Sequence, residues 1–231
     1  MRLHRGFSLI ELLVVVAIIA VLAGMVLVGV STIRALAKRS TCGNNLRQLA
    51  MALTQFATDR DGMVPLLYDS VKQGNYLVWD LGLRARGWGL LYDGDFLDVP
   101  QVVYCPAAKS VTNMRYNATG NIWRNNGTLT RASYGIRPEQ FVAINAVAPA
   151  TLPLLRRFQN DAIAADGCSQ GNQVMAMHVD GINVAYGDAH VRWQALSSLA
   201  PAWHAIPTNA AWSTTYDAAG TALWNGLDDL R

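Results

Sequence analysis

Glutamate is almost missing from this chain: Glu11 and Glu139 are the two in 231 residues. Acid–base catalysis by paired carboxylates therefore has little to work with. A Gly-x-Ser-x-Gly elbow, a Gly-rich phosphate loop and internal repeats are absent as well, which removes the commonest nucleophile and nucleotide signatures. Neither an enzyme nor a cofactor is expected. Charge is sparse, 15% of residues against 52% apolar, and this balance excludes disorder as the main state. At this length the chain holds one domain with a proper core, or one domain and an appendage.

A basic surface is also lacking where nucleic acid would need one. The formal net charge is +3, but it is unevenly spread. Residues 1–6 hold Arg2 and Arg5 and no acid, and the segment Phe7 to Met63 is net +2. Residues 64–231 carry 12 bases and 13 acids. The globular part is close to neutral, so nucleic acid is not an expected partner.

What the chain does have is an uninterrupted apolar run. From Leu12 to Ile33 there are 22 residues without a charge. As a helix they span roughly 33 Å, enough for a hydrocarbon core of about 30 Å. Arg2 and Arg5 favour a cytoplasmic N-terminus and an exported remainder. A cleaved secretory signal is the rival reading, with Val21-Leu22-Ala23 as a tolerable cleavage site. Two features oppose it: the run continues to Ile33, and Glu11 stands at its start. A carboxylate deep in a bilayer costs about 2.5–3.5 kcal/mol on insertion scales and calls for a partner.

The run Gly6-Phe7-Ser8-Leu9-Ile10-Glu11-Leu12-Leu13-Val14-Val15-Val16-Ala17 resembles the processing and assembly signal of type IV pilins and type II secretion pseudopilins. The resemblance implies cleavage by a prepilin peptidase after Gly6, N-methylation at Phe7, and Glu11 as the fifth residue of the mature chain. Glycine at the cut leaves the backbone open to the peptidase. The Phe7 amine of a neighbouring subunit would neutralise Glu11 when helices pack. Further segments, Cys42-Gly43-Asn44-Asn45-Leu46-Arg47-Gln48-Leu49-Ala50, Gly89-Leu90-Leu91-Tyr92, Val103-Tyr104-Cys105-Pro106 and Ser133-Tyr134, are similar to a large prepilin-type family abundant in planctomycetes. That family carries a His, nine residues, Asp-Gly motif near the C-terminus. His178 and Asp188 have this spacing, with Ala189 where the family has glycine. The resemblance covers most of residues 1–193.

The resemblance implies an α+β, pilin-like fold: a long N-terminal helix, membrane-spanning in its first half, packed on an antiparallel β-sheet head. The expected organisation is a leader at 1–6, a transmembrane and assembly helix at 7–33, its exported continuation at 34–63, a head at 64–193 ending in a β-meander, and a Trp/Ala-rich extension at 194–231. Leu46, Leu49, Ala50, Leu53, Phe56 and Ala57 follow helical spacing and predict a stripe packed against the protein's own sheet. Asp59-Arg60-Asp61-Gly62 and Pro65 predict its stop. The expected protein is a single-pass subunit of the inner (cytoplasmic) membrane, its head periplasmic or extracellular. Its partners would be the prepilin peptidase/methyltransferase and other pilin or pseudopilin subunits, in a type IV pilus-like or type II secretion filament. The rival class is a non-polymerising membrane-anchored adhesin or carbohydrate-binding protein that uses Trp203, Trp212 and Trp224.

Three cysteines, Cys42, Cys105 and Cys168, would meet an oxidising compartment after export. Because Cys42 and Cys105 lie in the family-like segments, their bridge is the first choice and would tie stem to head; Cys105 with Cys168 is the alternative. Near the C-terminus, Asp180-Gly181 and Gly187-Asp188 are two-residue hairpin signals. They predict three short strands over Met175 to Trp193, with Val179 opposite Ile182 and Tyr186 opposite Ala189. One face then carries Met177, Val179, Ile182, Val184, Tyr186, Ala189, Val191 and Trp193. In that register His178 and His190 are roughly 12 Å apart, too far to share a zinc ion with Asp180 or Asp188 at about 2 Å per ligand. Turn aspartates and surface histidines are the preferred reading, and no metal is expected. Asp93, Asp95 and Asp98 are the better-spaced oxygen donors for calcium, or simply a polar loop. The Asn- and Gly-rich stretch Asn113 to Gly127 reads as a long loop.

Overall fold

A computed structural model describes residues 8–65, 77–79, 85–108, 116, 130–137, 155–166, 177–178, 180–199 and 223–230. The chain divides into two compact units, Met1–Lys38 and Arg39–Arg231. Helix α1, Leu9–Thr58, is the element that enters both.

The start of α1 follows from a Ser-x-x-Glu sequence. The Ser8 backbone N–H donates to Glu11 Oε2 at 2.9 Å, one half of a capping box. The far end closes at the predicted stop. Gly62 N–H reaches back to the Ala57 carbonyl at 2.7 Å, and Asp61 and Gly62 take φ of 54° and 85°. This is the left-handed exit common at helix C-termini, where glycine has no Cβ to clash.

In the Arg39–Arg231 unit the helix stripe is buried as its spacing predicts: Leu46, Leu49 and Leu53 are fully enclosed, with Ala50, Phe56 and Ala57 beside them. Short elements pack around it. Strand β1 (Leu77–Trp79) pairs antiparallel with β2 (Thr130–Arg131), and α2 (Trp88–Asp93) lies against β1. Gly89 makes that contact possible: a Cβ there would sit 2.0 Å from the Val78 carbonyl oxygen. A second sheet runs β3 (Tyr134–Ile136), β4 (Ala162–Asp166), β5 (Gly181–Tyr186) and β6 (Val191–Ala195), each strand antiparallel to the next. The layout is α+β, a long N-terminal helix followed by antiparallel sheets.

All six residues of β5 are buried, so this strand is covered on both faces. Ala185 belongs to the core formed with α1, Trp88, Tyr134 and Ile163. Ile182, Val184 and Tyr186 alternate with it into a second core closed by Leu199, Leu223, Trp224 and Leu227. Residues 223–229 are helical and are pinned by polar contacts as well. Arg137 Nη1 donates to both Asp228 carboxylate oxygens at 2.8 Å, and Asp228 Oδ1 also accepts from the Ala162 N–H. Tyr186 Oη donates to the Leu227 carbonyl at 3.0 Å.

Three expectations need correction here. In the sheet β5 follows β4, and within the expected strand before Asp180 Met177 is in a helical turn and His178 is outside any strand. The β5–β6 pairing is shifted by one residue from the expected register. Val184 faces Arg192 and Ile182 faces Gln194, which sends Val191 and Trp193 to the other side of the sheet. The cause is a three-residue loop, Gly187 to Ala189. Tyr186 N–H bonds the His190 carbonyl at 3.0 Å, and Ala189 takes φ 65°. Finally, the expected boundary at 194 falls inside β6, which runs to Ala195, and Leu199, Leu223 and Trp224 beyond it are buried in the second core. Trp203, Trp212 and most of the Asn113 to Gly127 stretch lie outside the described residues.

Candidate functional sites: an apolar helix and a buried polar junction

The first candidate site is the opening of α1. From Leu9 to Met25 its large side chains are exposed, Leu13 by 62% and Ile19 by 59%, and Ile33 is exposed as well. This is the one helix among the described residues that is long and apolar enough to cross a membrane. Glu11 is the acidic group of its first turn and satisfies the Ser8 N–H. Gly6 and Phe7 lie outside the described residues.

The second candidate site is a polar knot inside the Arg39–Arg231 unit. Cys42 on α1 is joined to Cys105 by a disulfide with a Cα–Cα distance of 5.3 Å. Linking positions 63 residues apart removes unfolded-chain entropy worth roughly 4 kcal/mol. Cys105 Sγ lies 3.5 Å from His178 Nε2, and the same nitrogen is 3.3 Å from Asp166 Oδ2. That carboxylate oxygen accepts from both the backbone N–H and the Nδ2 of Asn183 at 2.8 Å. Asn183 Nδ2 in turn reaches the Arg39 carbonyl at 3.3 Å. Gly43 permits the approach, since a Cβ there would meet Asn183 Oδ1 at 3.2 Å.

One turn further along α1, Asn45 Nδ2 donates to the Tyr104 carbonyl at 3.2 Å and to Tyr134 Oη at 3.3 Å. Trp88 Nε1 donates to the Tyr134 carbonyl at 2.9 Å. Burial pushes the Tyr134 phenol well above its ordinary range; the Asp166 charge adds to this and the Asn45 hydrogen bond opposes it. Ser133 N–H bonds the Val103 carbonyl at 2.9 Å. The short segments singled out in the sequence at 42–50, 103–106, 133–134 and 178 thus meet around one junction between the helix and the sheet, with Trp88, beside the 89–92 segment, bonded to it through Tyr134. Several of their polar atoms are bonded to one another, which is what burial of such groups requires.

The remaining candidates go elsewhere. Asp188 Oδ1 accepts from the His190 backbone N–H at 3.2 Å and pairs with His190 Nδ1 at 2.5 Å, closing the β5–β6 loop, while His190 stacks on Tyr186. His178 and Asp188 therefore serve separate places, the polar junction and the hairpin end. Asp180 is exposed before β5. Asp93, Asp95 and Asp98 are all exposed on the α2 loop; among the described residues they do not form a common ligand set. Cys168 lies outside the described residues.

Sequence reasoning missed Asp166 and Asn183. Each is a single polar residue in a short apolar strand, Ala162-Ile163-Ala164-Ala165-Asp166 and Gly181-Ile182-Asn183-Val184. The available signal was the misfit itself, because a buried polar side chain in such a strand demands a partner.

Residues 1–27 match the family model described as the prokaryotic N-terminal methylation motif. The motif supports a type IV pilin-like precursor and a structural subunit in preference to an enzyme. With the apolar opening of α1 it is consistent with a single-pass membrane-anchored protein. No curated protein matches the chain, and no solved structure does.

Proposed function

We propose that this chain is a prepilin-type structural subunit, cut after Gly6, N-methylated at Phe7 and assembled through its N-terminal helix into a type IV pilus-like or type II secretion filament. The observation that carries the reading is the methylation-motif match over residues 1–27, on a helix whose apolar side chains are exposed from Leu9 to Met25. An apolar surface of that length needs lipid before assembly and neighbouring helices after it. Glu11 supplies the one charge that such packing must neutralise. Its capping contact with Ser8 is local and exposed, so a cationic amine on a neighbour competes with it on favourable terms.

Membership of the planctomycete-type family with the His, nine residues, Asp-Gly motif fits the same reading. Several of its segments meet at the polar junction, and Ala189 adopts φ 65° at the motif's glycine position, a backbone that glycine takes without strain.

Mass spectrometry of the mature N-terminus tests the proposal. The expected terminus is N-methylated Phe7; an intact Met1, or a terminus beyond Ala23, would overturn it. Glu11→Ala is expected to leave membrane insertion intact and abolish filament incorporation. A processed protein that never enters a filament would instead indicate the anchored binding protein.

A further inference from the structure

We propose that the Cys42, Cys105, Asp166 and His178 cluster is a metal site in its reduced state, binding one zinc-type dication as a tetrahedral set of two sulfurs, one nitrogen and one oxygen. The four ligand atoms lie within 4.8 Å of one another and all four residues are buried. Two sulfurs, an imidazole and a carboxylate are a donor set suited to zinc.

The distances argue for coordination more than for hydrogen bonding. His178 Nε2 faces both Cys105 Sγ, at 3.5 Å, and Asp166 Oδ2, at 3.3 Å. One ring nitrogen holds one proton and cannot serve two acceptors well. A tetrahedral ion about 2.3 Å from sulfur and about 2.0 Å from nitrogen and oxygen gives sulfur–nitrogen and nitrogen–oxygen edges of about 3.5 and 3.3 Å. Both edges are already in place. The largest adjustment required is for the two sulfurs to part to about 3.8 Å, which needs the disulfide to open; the other ligand atoms already lie within 4.8 Å of one another.

The supports that a metal ligand requires are present too. Asp166 is oriented by two donors from Asn183, and the His178 ring is held edge-on against Trp193, with centroids 5.4 Å apart. Charge gives the reason for two alternative states. Two thiolates beside a buried carboxylate repel strongly, and either a dication or a disulfide relieves them. A dithiol reductant opens the bridge: its two thiols become a disulfide as Cys42 and Cys105 take up two electrons and two protons. Metal binding then releases the two thiol protons to solvent.

The full-length protein in detergent micelles, reduced with a dithiol under argon and freed of reductant, is titrated with Co2+ and then Zn2+. Expected are one cobalt per chain, thiolate-to-cobalt charge transfer and tetrahedral visible bands, all displaced by zinc and all absent before reduction. His178→Ala weakens cobalt binding by more than about 100-fold, and Asn183→Ala, which removes a support of Asp166, by about 10- to 100-fold. Cys168→Ser leaves the titration unchanged. The proposal fails if the reduced chain, folded or unfolded by circular dichroism, binds no cobalt or binds it without thiolate charge transfer. It also fails if His178→Ala binds as tightly as the parent, the result expected of unspecific thiol binding, or if Cys168→Ser abolishes the signal.

Discussion

The first and second halves of α1 are the same secondary structure built for opposite surroundings. From Leu9 to Met25 apolar residues occupy every face and are exposed; from Cys42 to Ala57 they gather into one buried stripe, with Met51 alone among the large ones left exposed. Leu13 is 62% exposed and Leu49 is 0% exposed, although helix propensity is identical at the two sites. The difference lies in the pattern around them. A helix apolar on all sides has no preferred face to offer a folded core and suits lipid or a bundle of like helices. A helix apolar at i, i+3, i+4 and i+7 offers one face, and the sheet takes it.

The sharpest way to break this contrast is to truncate one leucine from each half. Leu49→Ala is expected to destabilise the Arg39–Arg231 unit by about 2–5 kcal/mol, because it opens a cavity in a closed core. Leu13→Ala should leave the stability of that unit unchanged. Denaturant unfolding followed by the fluorescence of the buried Trp88 and Trp224 measures both. Equal losses would mean that the two halves share one environment.

A charge reverses the order of sensitivity. Val21→Arg, near the middle of the exposed apolar segment, is expected to cost about 2.5–3.5 kcal/mol of membrane insertion. It should leave the unfolding curve of the head untouched. Fractionation of membranes from cells making the variant gives the first quantity, and unfolding of the detergent-solubilised chain gives the second. Undiminished insertion would remove the membrane reading of this segment.

How much of this was legible in the sequence depended on whether neighbours or distant contacts decide the outcome. The stripe from Leu46 to Ala57, its stop at Asp61-Gly62 and the apolar run are local patterns, and the structure follows them. The β5–β6 register was not legible. Gly187-Asp188 looks like a two-residue turn, but Gly187 answers to a contact far away in sequence: a Cβ there would lie 1.9 Å from the Phe158 carbonyl oxygen. The turn needs its left-handed residue at Ala189, a type that nothing in local chemistry would nominate. The junction was half legible. Its motif residues could be read as a group, but Asp166 and Asn183, which hold His178 and the helix backbone in place, carry no pattern of their own.

The smallest effect tests how the head tolerates polar groups that the opening of α1 lacks. Tyr134 is fully buried, its hydroxyl in contact with Asn45 Nδ2 and its phenol pushed to a higher pKa by burial and by Asp166. A raised pKa means that the folded state prefers the neutral phenol over the unfolded chain, whose tyrosines titrate near about 10. The stability this confers is whole below about pH 10 and is lost as pH rises from there towards the folded-state value. Tyr134→Phe is expected to cost about 0.5–1.5 kcal/mol at neutral pH, through the lost hydrogen bond and the Asn45 group left behind. Above about pH 10 the variant should lose stability less steeply than the parent, by up to about 1.4 kcal/mol per pH unit. Urea unfolding at pH 7 and at several alkaline pH values reads both effects. Parallel alkaline slopes in the two proteins would show that the phenol titrates no differently folded than unfolded, and that the junction is as open to water as the outer face of the helix.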